Sequence, residues 1–408
     1  MKILFYNHTG EVSGAERVLL MILSRLDRKG FEPTVVCPQQ GPLQEMVKDL
    51  GVPLKTVASL DARFTWRVDA LARYCKSFLG VIRELRQRVV ADKPDLLHAN
   101  SIRSGLVATA ATCGLGTKVV WHLHDLLPRH PLSTAIRTFA SLSTRTRVIA
   151  VSEAVAKNFL GRCASVLKHR VSVILNSIDL EKFQLDETAK RALRRELRFR
   201  ETDLAIGIVG QLTPRKGQLQ LLSAFGRALK EVPNSVLLIV GAPLFNRDHE
   251  YLELLKRTVA ELGIGNKVRL LGARDDIAAI MQGLDLLVVN SSAEPFGLVI
   301  LEAMACGTAV LATAVDGIPE IVKHGDNGWS VPPLDEAALT EAIVHLCRAP
   351  ELRARLAKRG KQRVVARFAV GRYMSQLHTF YRLGTNLNLT PGGESRALRS
   401  ADRQIEAA

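Results

Sequence analysis

The sequence predicts an α/β chain built from two doubly wound, Rossmann-like parallel-sheet domains facing across a cleft. Three observations predict it. Short apolar, β-branched runs alternate with longer amphipathic stretches, the rhythm of strand, crossover helix and parallel strand. That rhythm is interrupted by a charged stretch at 181–201 and then restarts. The length, 408 residues, suits two to three domains at roughly 150 residues each.

Taken in order, KILFY, PTVVC and the runs at 95–99, 118–124 and 147–151 are the strands of a first domain spanning 1–178. AERVLLMILSRL and PLQEMVKDL are its first helices, because parallel strands can be joined only by a long crossover. The restart places strands at AIGIVG, VLLIVG, VRLLG, DLLVVN and TAVLAT, with helices at LQLLSAFGRALKEV and 250–262, in a second domain over 179–364. A helical pattern over 365–385 is expected to return to the first domain, and the polar, Gly/Pro-broken 386–408 to be a disordered tail. Doubly wound domains hold ligands outside the carboxyl ends of their strands, so a cleft lined by both sheets is the expected binding place.

Composition narrows the function classes. With 47% hydrophobic and 24% charged residues the chain is neither disordered nor fibrous, and 5% aromatics is thin for a protein that stacks on single-stranded nucleic acid. The excess of 56 Lys+Arg over 40 Asp+Glu, a net charge of +16, calls for an anionic partner: nucleic acid, an acidic membrane surface or a phosphorylated substrate. No apolar run approaches the roughly 18–20 residues that span a bilayer, and MKILFYNHTG does not read as a secretory leader. A cytoplasmic location is therefore expected. The six cysteines are scattered singly without metal-ligand spacing, so reduced thiols and no structural metal are expected.

Four stretches can carry chemistry. In EPFGLVILE, Glu294 and Glu302 lie eight positions apart after an apolar strand, and the backbone N–H groups of Phe296, Gly297 and Leu298 open a helix, where an anion is favoured. Were the segment helical throughout, both carboxylates would share a face. The same spacing also fits one capping and one solvated glutamate. In VGQLTPRKG, Gly210 permits a tight turn while Arg215 and Lys216 can hold a diphosphate; a solvated basic turn fits it equally. The loop NHTGEVSGAE occupies the phosphate-approach position of the first domain but lacks G-x-G-x-x-G, which argues against a nicotinamide dehydrogenase. In WHLHD, His124 at a strand end can bind a sugar hydroxyl, with Asp125 placed to set its tautomer; a structural histidine is the alternative. No D-x-D occurs, so the usual metal–diphosphate clamp is missing.

With SGAERVLL, PDLLHANS, VVWHLHD, VILNSIDLEKF, GQLTPRKG and EPFGLVILEAMACGTAVLAT in order, the chain resembles retaining glycosyltransferase family 4, the group 1 glycosyltransferases of the GT-B fold. The resemblance covers most of residues 1–382. It implies transfer of a sugar from a nucleotide diphosphate donor to a glycan or lipid-linked acceptor, in cell-surface glycan, polysaccharide or glycolipid synthesis, with no cofactor and no metal. It implies that Lys216 and Arg215 neutralise the diphosphate, Glu294 binds the donor sugar and Glu302 the ribose. Phe296, Gly297 and Leu298 would present amides, His124 would contact the sugar, Gly14 would let the first loop approach, and the backbone near Arg274 would seat the base. Gln211 stands where the family usually has arginine.

Between Arg63 and Arg88, seven basic residues oppose two acids beside Phe64, Trp66, Leu71, Tyr74, Phe78, Leu79, Val81 and Ile82. An amphipathic segment over 63–90 is expected to touch an anionic membrane surface, placing the protein peripherally on the inner face of the cytoplasmic membrane and leaving no part for nucleic acid. A packed amphipathic helix is the alternative. Two other readings of the whole chain stand beside the transferase: a nucleotide-sugar epimerase of the same fold, and a basic scaffold with a degenerate donor site.

Overall fold

Strands form where aliphatic, β-branched runs leave no polar face, as parallel sheets covered by helices on both sides require. In the computed structural model, which describes residues 1–60, 68–184, 186–244 and 249–384, every residue of Leu96–Ala99, Ser235–Val240 and Ala309–Thr313 is buried. The chain divides into two compact units: Met1–Asn176 together with the chain from Gly371 on, and Ser177–Val370.

The first unit runs β1 (Lys2–Tyr6), α1 (Gly14–Arg25), β2 (Glu32–Pro38), α2 (Leu43–Asp49), β3 (Leu54–Val57), α3 (Val68–Asp92), β4 (Leu96–Ala99), α4 (Ile102–Ala111), β5 (Lys118–Leu123), α5 (Pro131–Leu142), β6 (Thr146–Ala150), α6 (Glu153–Leu160), α7 (Ala164–Leu167) and β7 (Val171–Val173). Its seven strands are all parallel in the order β3-β2-β1-β4-β5-β6-β7. From β1 the chain winds to one edge and then crosses back to β4. The β1/β4 junction is therefore the topological switch point, where the diverging loops leave an opening above the strands.

The second unit runs α8 (Glu187–Glu196), β8 (Leu204–Val209), α9 (Gln218–Ala228), β9 (Ser235–Val240), α10 (His249–Glu261), β10 (Val268–Gly272), α11 (Ile277–Gly283), β11 (Leu286–Val289), α12 (Leu298–Ala305), β12 (Ala309–Thr313), α13 (Ile318–Ile321), β13 (Trp329–Val331), α14 (Glu336–Arg348) and α15 (Pro350–Arg367). Its six parallel strands are ordered β10-β9-β8-β11-β12-β13, with the switch point between β8 and β11. Side-chain caps set several helix starts: Ser101 and Ser152 accept from Ser104 and Val155, and Asp186 and Asp335 do the same for α8 and α14.

The end of the chain differs from the expected single helix over 365–385. Phe368 and Ala369 break it, with Ala369 bridging to Ile178, and the final helix α16 is Val370–Gly384. Its Tyr381 packs edge-on against Phe31 at 5.8 Å, within the first unit's core. The tail at 386–408 lies outside the described residues.

One packing detail fixes α4 on its sheet. Trp121 of β5 is wholly buried, donates from Nε1 to Thr109 Oγ1 at 2.9 Å, and lies so close to α4 that a Cβ on Gly105 would sit 2.3 Å from the indole. Gly80 of α3, by contrast, has nothing within 4 Å of that position. Gly105→Ala should lower the free energy of unfolding by about 1–3 kcal/mol through overpacking, while Gly80→Ala should raise it by about 1 kcal/mol through helix propensity. Urea midpoints of the two variants moving in the same direction would contradict this packing.

Candidate functional site

Both switch points carry polar side chains, and the two differ in kind. At the β8/β11 switch point, the chain leaves β8 through Gly210 (φ +143°) and passes Gln211 to a 3-10 turn, Pro214–Lys216. Gly210 and Gly241, which follows β9, both adopt positive φ, and a Cβ on Gly241 would meet Gly210 O at 1.9 Å. Only glycine fits both demands. The chain leaves β11 through Asn290–Gly297 and enters α12, where the N–H groups of Leu298 and Val299 have no partner one turn back among the described residues, while that of Ile300 donates to Gly297 O at 3.0 Å.

Lys216 and Glu294 meet across this opening, with Nζ 2.5 Å from Oε2 and their side chains 15% and 9% exposed. Ser291 Oγ donates to the same Oε2 at 2.9 Å, Arg215 NH1 lies 3.8 Å from it, and the Arg215 guanidinium donates to Ala293 O at 2.7 Å. Asp316 accepts from the Glu294 backbone N–H at 2.9 Å. Burial by itself would raise the Glu294 carboxyl's pKa, but the charges of Lys216 and Arg215 and the bonds from Lys216 and Ser291 outweigh it and hold the group below the ordinary carboxylate range. Glu294 is therefore an ionised carboxylate, and its Oε1 makes no hydrogen bond among the described residues.

The remaining donor-side residues fall in two places. Phe296 is buried and packs on Phe368, with ring centroids 6.0 Å apart. Gly297, at φ +106°, caps α12, and Leu298 is its first residue. Glu302 lies in the body of α12, whereas Glu294 precedes the helix, so the two carboxylates are not on one helical face. The physical reason is Pro295 and the left-handed Gly297, which keep the chain non-helical until Leu298. The Gln211 side chain forms no hydrogen bond among the described residues; its carbonyl accepts from Gln218. Arg274 follows β10 and is clamped by Asp276 and Glu196 through contacts of 2.7–3.2 Å. Hydrogen bonds to both carboxylates raise its pKa, so its charge is already neutralised.

The β1/β4 switch point of the first unit is built mainly from amides, hydroxyls and imidazoles. Ser13 caps α1, Gly14 is its first residue, and Glu16 reaches back to accept from the Ser13 N–H and hydroxyl at 3.0 and 2.6 Å. Tight approach in this loop belongs to Gly10, where a Cβ would lie 1.7 Å from Gln40 O. His124 follows β5, and its Nε2 lies 3.0 Å from Asn100 Oδ1 at the end of β4. The expected partner Asp125 does not fill that role, because β5 ends at Leu123 and turns His124 toward β4. Behind His124, the His122 ring lies 4.1 Å away, His122 Nδ1 is 3.3 Å from His98 Nε2, and His98 Nδ1 is 2.8 Å from the Tyr381 hydroxyl.

Burial drives His98 and His124 down to about 3, with the neighbouring ring adding to the effect at His98. Burial, then Arg103, does the same to His8, and burial with both neighbouring rings takes His122 well below its ordinary value. His98, Asn100, Ser291 and Tyr381 were not singled out from the sequence, and Asn7 and Glu16 only as members of the loop NHTGEVSGAE. The alternation in WHLHD is the signal that points toward the histidine cluster.

The membrane-facing expectation over 63–90 lies partly outside the described residues. Of the part described, Val81, Leu85 and Val89 are buried within the first unit, and Arg86 donates to Ala111 O and Cys113 O. Arg73, Lys76, Leu79 and Arg83 remain on the outside. Among the described residues, no group of three His, Cys, Asp or Glu side chains converges as a metal would require, and no helix is long and apolar enough to cross a membrane.

Comparison with known proteins identifies the family and the fold. Residues 189–363 match the family model for glycosyl transferases group 1, and residues 12–182 match that for glycosyltransferase family 4. N-acetyl-alpha-D-glucosaminyl L-malate synthase of Bacillus anthracis is 30% identical over 46% of this chain, a match spanning about half (48%) of that relative. The Escherichia coli UDP-Gal:alpha-D-GlcNAc-diphosphoundecaprenol alpha-1,3-galactosyltransferase is 23% identical over 91% of this chain and 94% of that one. The crystal structure of Anabaena HepE in complex with UDP-glucose superposes with a TM-score of 0.81 at 27% identity, covering 94% of this chain and all of that one (100%).

The buried histidines set an acid limit on stability. Below their ordinary value of 6.5 the unfolded chain takes up protons that the folded unit refuses, so unfolding gains protons and stability falls with pH from about 6.5 toward about 3. Each such histidine adds up to about 1.4 kcal/mol per pH unit within that window. His122 Nε2 is buried without a hydrogen-bond partner among the described residues, and burial lowers the pKa of the ring, so His122→Leu should make the dependence shallower. Urea unfolding at a series of pH values checks this; an unchanged slope in the variant would contradict a neutral buried His122.

Proposed function

Because the chain belongs to glycosyltransferase family 4, the group 1 glycosyltransferases, we propose that it transfers a sugar from a nucleotide diphosphate donor to an acceptor hydroxyl with retention at the anomeric carbon. The observation that carries this reading is the Lys216–Glu294 pair above the β8/β11 switch point. A diphosphate placed there meets the Lys216 ammonium, the Arg215 guanidinium and the opening N–H groups of α12. As the donor bond breaks, negative charge grows on the leaving phosphate, and preorganised donors aimed at that charge lower the barrier. Lys216 and Arg215 supply the positive charge that a divalent metal would otherwise supply, so the reaction proceeds without one.

Glu294, ionised and held through Oε2, accepts from a donor-sugar hydroxyl at Oε1. Glu302 binds the ribose, and the backbone near Arg274 seats the base. Since the Arg274 side chain is neutralised by Glu196 and Asp276, it adds no charge of its own. His124 of the first unit, neutral in its pocket, contacts a sugar hydroxyl, and Gly14, the first residue of α1, lets the first loop approach the diphosphate and the acceptor. Support for a uridine nucleotide comes from the Anabaena relative bound to UDP-glucose, and for a lipid-linked acceptor from the E. coli relative's diphosphoundecaprenol substrate. In this reading Arg73, Lys76 and Arg83, beside exposed Leu79, hold the enzyme peripherally at an anionic membrane surface where such an acceptor resides.

Calorimetry and thermal shift with UDP, other nucleotide diphosphates and their sugars, in the presence of chelator, test the donor site. One nucleotide should bind with chelator present, and Lys216→Ala and Glu302→Ala should each weaken it at least about tenfold, as loss of a charge-assisted bond does. Proton NMR of the product should show the anomeric configuration of the donor. No nucleotide binding, a divalent-metal requirement, or release of an altered nucleotide sugar without acceptor would overturn the reading.

A further inference from the structure

We propose that Asn100 holds His124 in the tautomer protonated on Nε2, so that Nδ1 is presented as a hydrogen-bond acceptor for a substrate hydroxyl. Asn100 is then a positioning residue. The functional half of this inference rests on the sugar-transfer reading; the structural half rests only on hydrogen-bond polarity.

The polarity is fixed from groups that can act in one direction only. Asn7 Nδ2 lies 2.6 Å from Thr9 O and 3.1 Å from Glu16 Oε1. A backbone carbonyl and a carboxylate only accept, so the Asn7 amide turns its nitrogen toward them and its Oδ1 toward Asn100. Asn100 Nδ2 donates to that Oδ1 at 3.0 Å and to Ala15 O at 3.2 Å. These are again pure acceptors, so the amide orientation of Asn100 is set twice over. Its Oδ1 is what remains for His124, 3.0 Å from Nε2. An amide oxygen cannot donate, so the proton in this contact belongs to Nε2.

A neutral imidazole has one N–H, and burial keeps His124 neutral, its pKa near 3. The lone pair is therefore on Nδ1, which has no hydrogen-bond partner among the described residues. His98 and His122 are completely enclosed, whereas His124 keeps 9% of its surface. Of the three rings, it is the one that can meet a ligand. What this atom recognises is an O–H or N–H donor, as a sugar hydroxyl is; the opposite tautomer would present a donor there and reverse the preference. A site built to pair with a hydroxyl discriminates strongly against a ligand lacking it.

The test is long-range ¹H–¹⁵N correlation NMR of the full chain labelled at histidine, with the His124 signals assigned by their loss in His124→Gln. The wild type should show Nε2 protonated and Nδ1 bare at neutral pH. In Asn100→Leu the proton should no longer be confined to Nε2, and kcat for sugar transfer should fall about tenfold with nucleotide diphosphate affinity unchanged. Asn100→Asp should keep the proton on Nε2, because a carboxylate also only accepts. An Nδ1-protonated wild type, or Asn100→Leu with an unaltered tautomer, would overturn the proposal. Should Asn100→Leu fail to fold, the wild type and Asn100→Asp still decide it. Absence of turnover with every donor counts against the transferase reading and leaves the tautomer result to stand or fall alone.

Discussion

The Glu294 carboxylate, nearly buried above the carboxyl ends of β8 and β11, must be given charge and hydrogen bonds or it would protonate, and the loops around it are arranged to meet that requirement. Lys216 and Arg215 arrive from the β8 side, Ser291 from the carboxylate's own loop, and Asp316 from the loop after β12 fixes its backbone. All but the Ser291 contact tie together loops that follow adjacent strands of the sheet. The glycines follow from the same constraint. The loop can bring Lys216 down to Glu294 only if it turns sharply at Gly210, and Gly241 must then leave room for the Gly210 carbonyl. A charged pair at a switch point thus dictates backbone several residues away.

The first unit answers the same topology with the opposite chemistry. Its switch point holds mainly amides, hydroxyls and histidines that burial keeps neutral, with the Glu16 carboxylate spent on Ser13 and Asn7 and the Arg103 guanidinium beside His8. Neutral groups inside a low-dielectric pocket have direction where charges have strength. One unit can therefore neutralise an anion, and the other can read the orientation of a hydroxyl.

Much of this was legible in the sequence because it is written in side-chain identity and period. Continuous aliphatic runs gave the strands, and the interruption at 181–201 marked the passage from one sheet to the next. Lys216, Glu294 and His124 stood out because charged or ionisable residues directly after an apolar strand are placed by the fold itself. Three things were not legible. Glu294 and Glu302 looked like one helical face because the spacing suited it, and Pro295 with a left-handed Gly297 delayed the helix. The partner of His124 looked like its neighbour Asp125, when strand order brings Asn100 beside it from 24 residues away. Parallel register decides such neighbours, and the carbonyls of Thr9 and Ala15 that orient the amides are present at every position of every sequence. The apolar stripe of α3 was legible as a stripe, but not as one whose Val81, Leu85 and Val89 face inward.

Gln211 stands where the family usually has arginine, so the proposed donor site lacks one charge of that pattern. Relative to the family pattern a cation is missing, yet donors for a diphosphate are not. An ammonium offers three N–H groups and a guanidinium five. Lys216 directs one at Glu294 and keeps two; Arg215 directs one at Ala293 O and keeps four. The N–H groups opening α12 add to these. What the glutamine forfeits is long-range attraction, which salt screens over about 10 Å, while the short contacts that stabilise a leaving phosphate come from groups already in place.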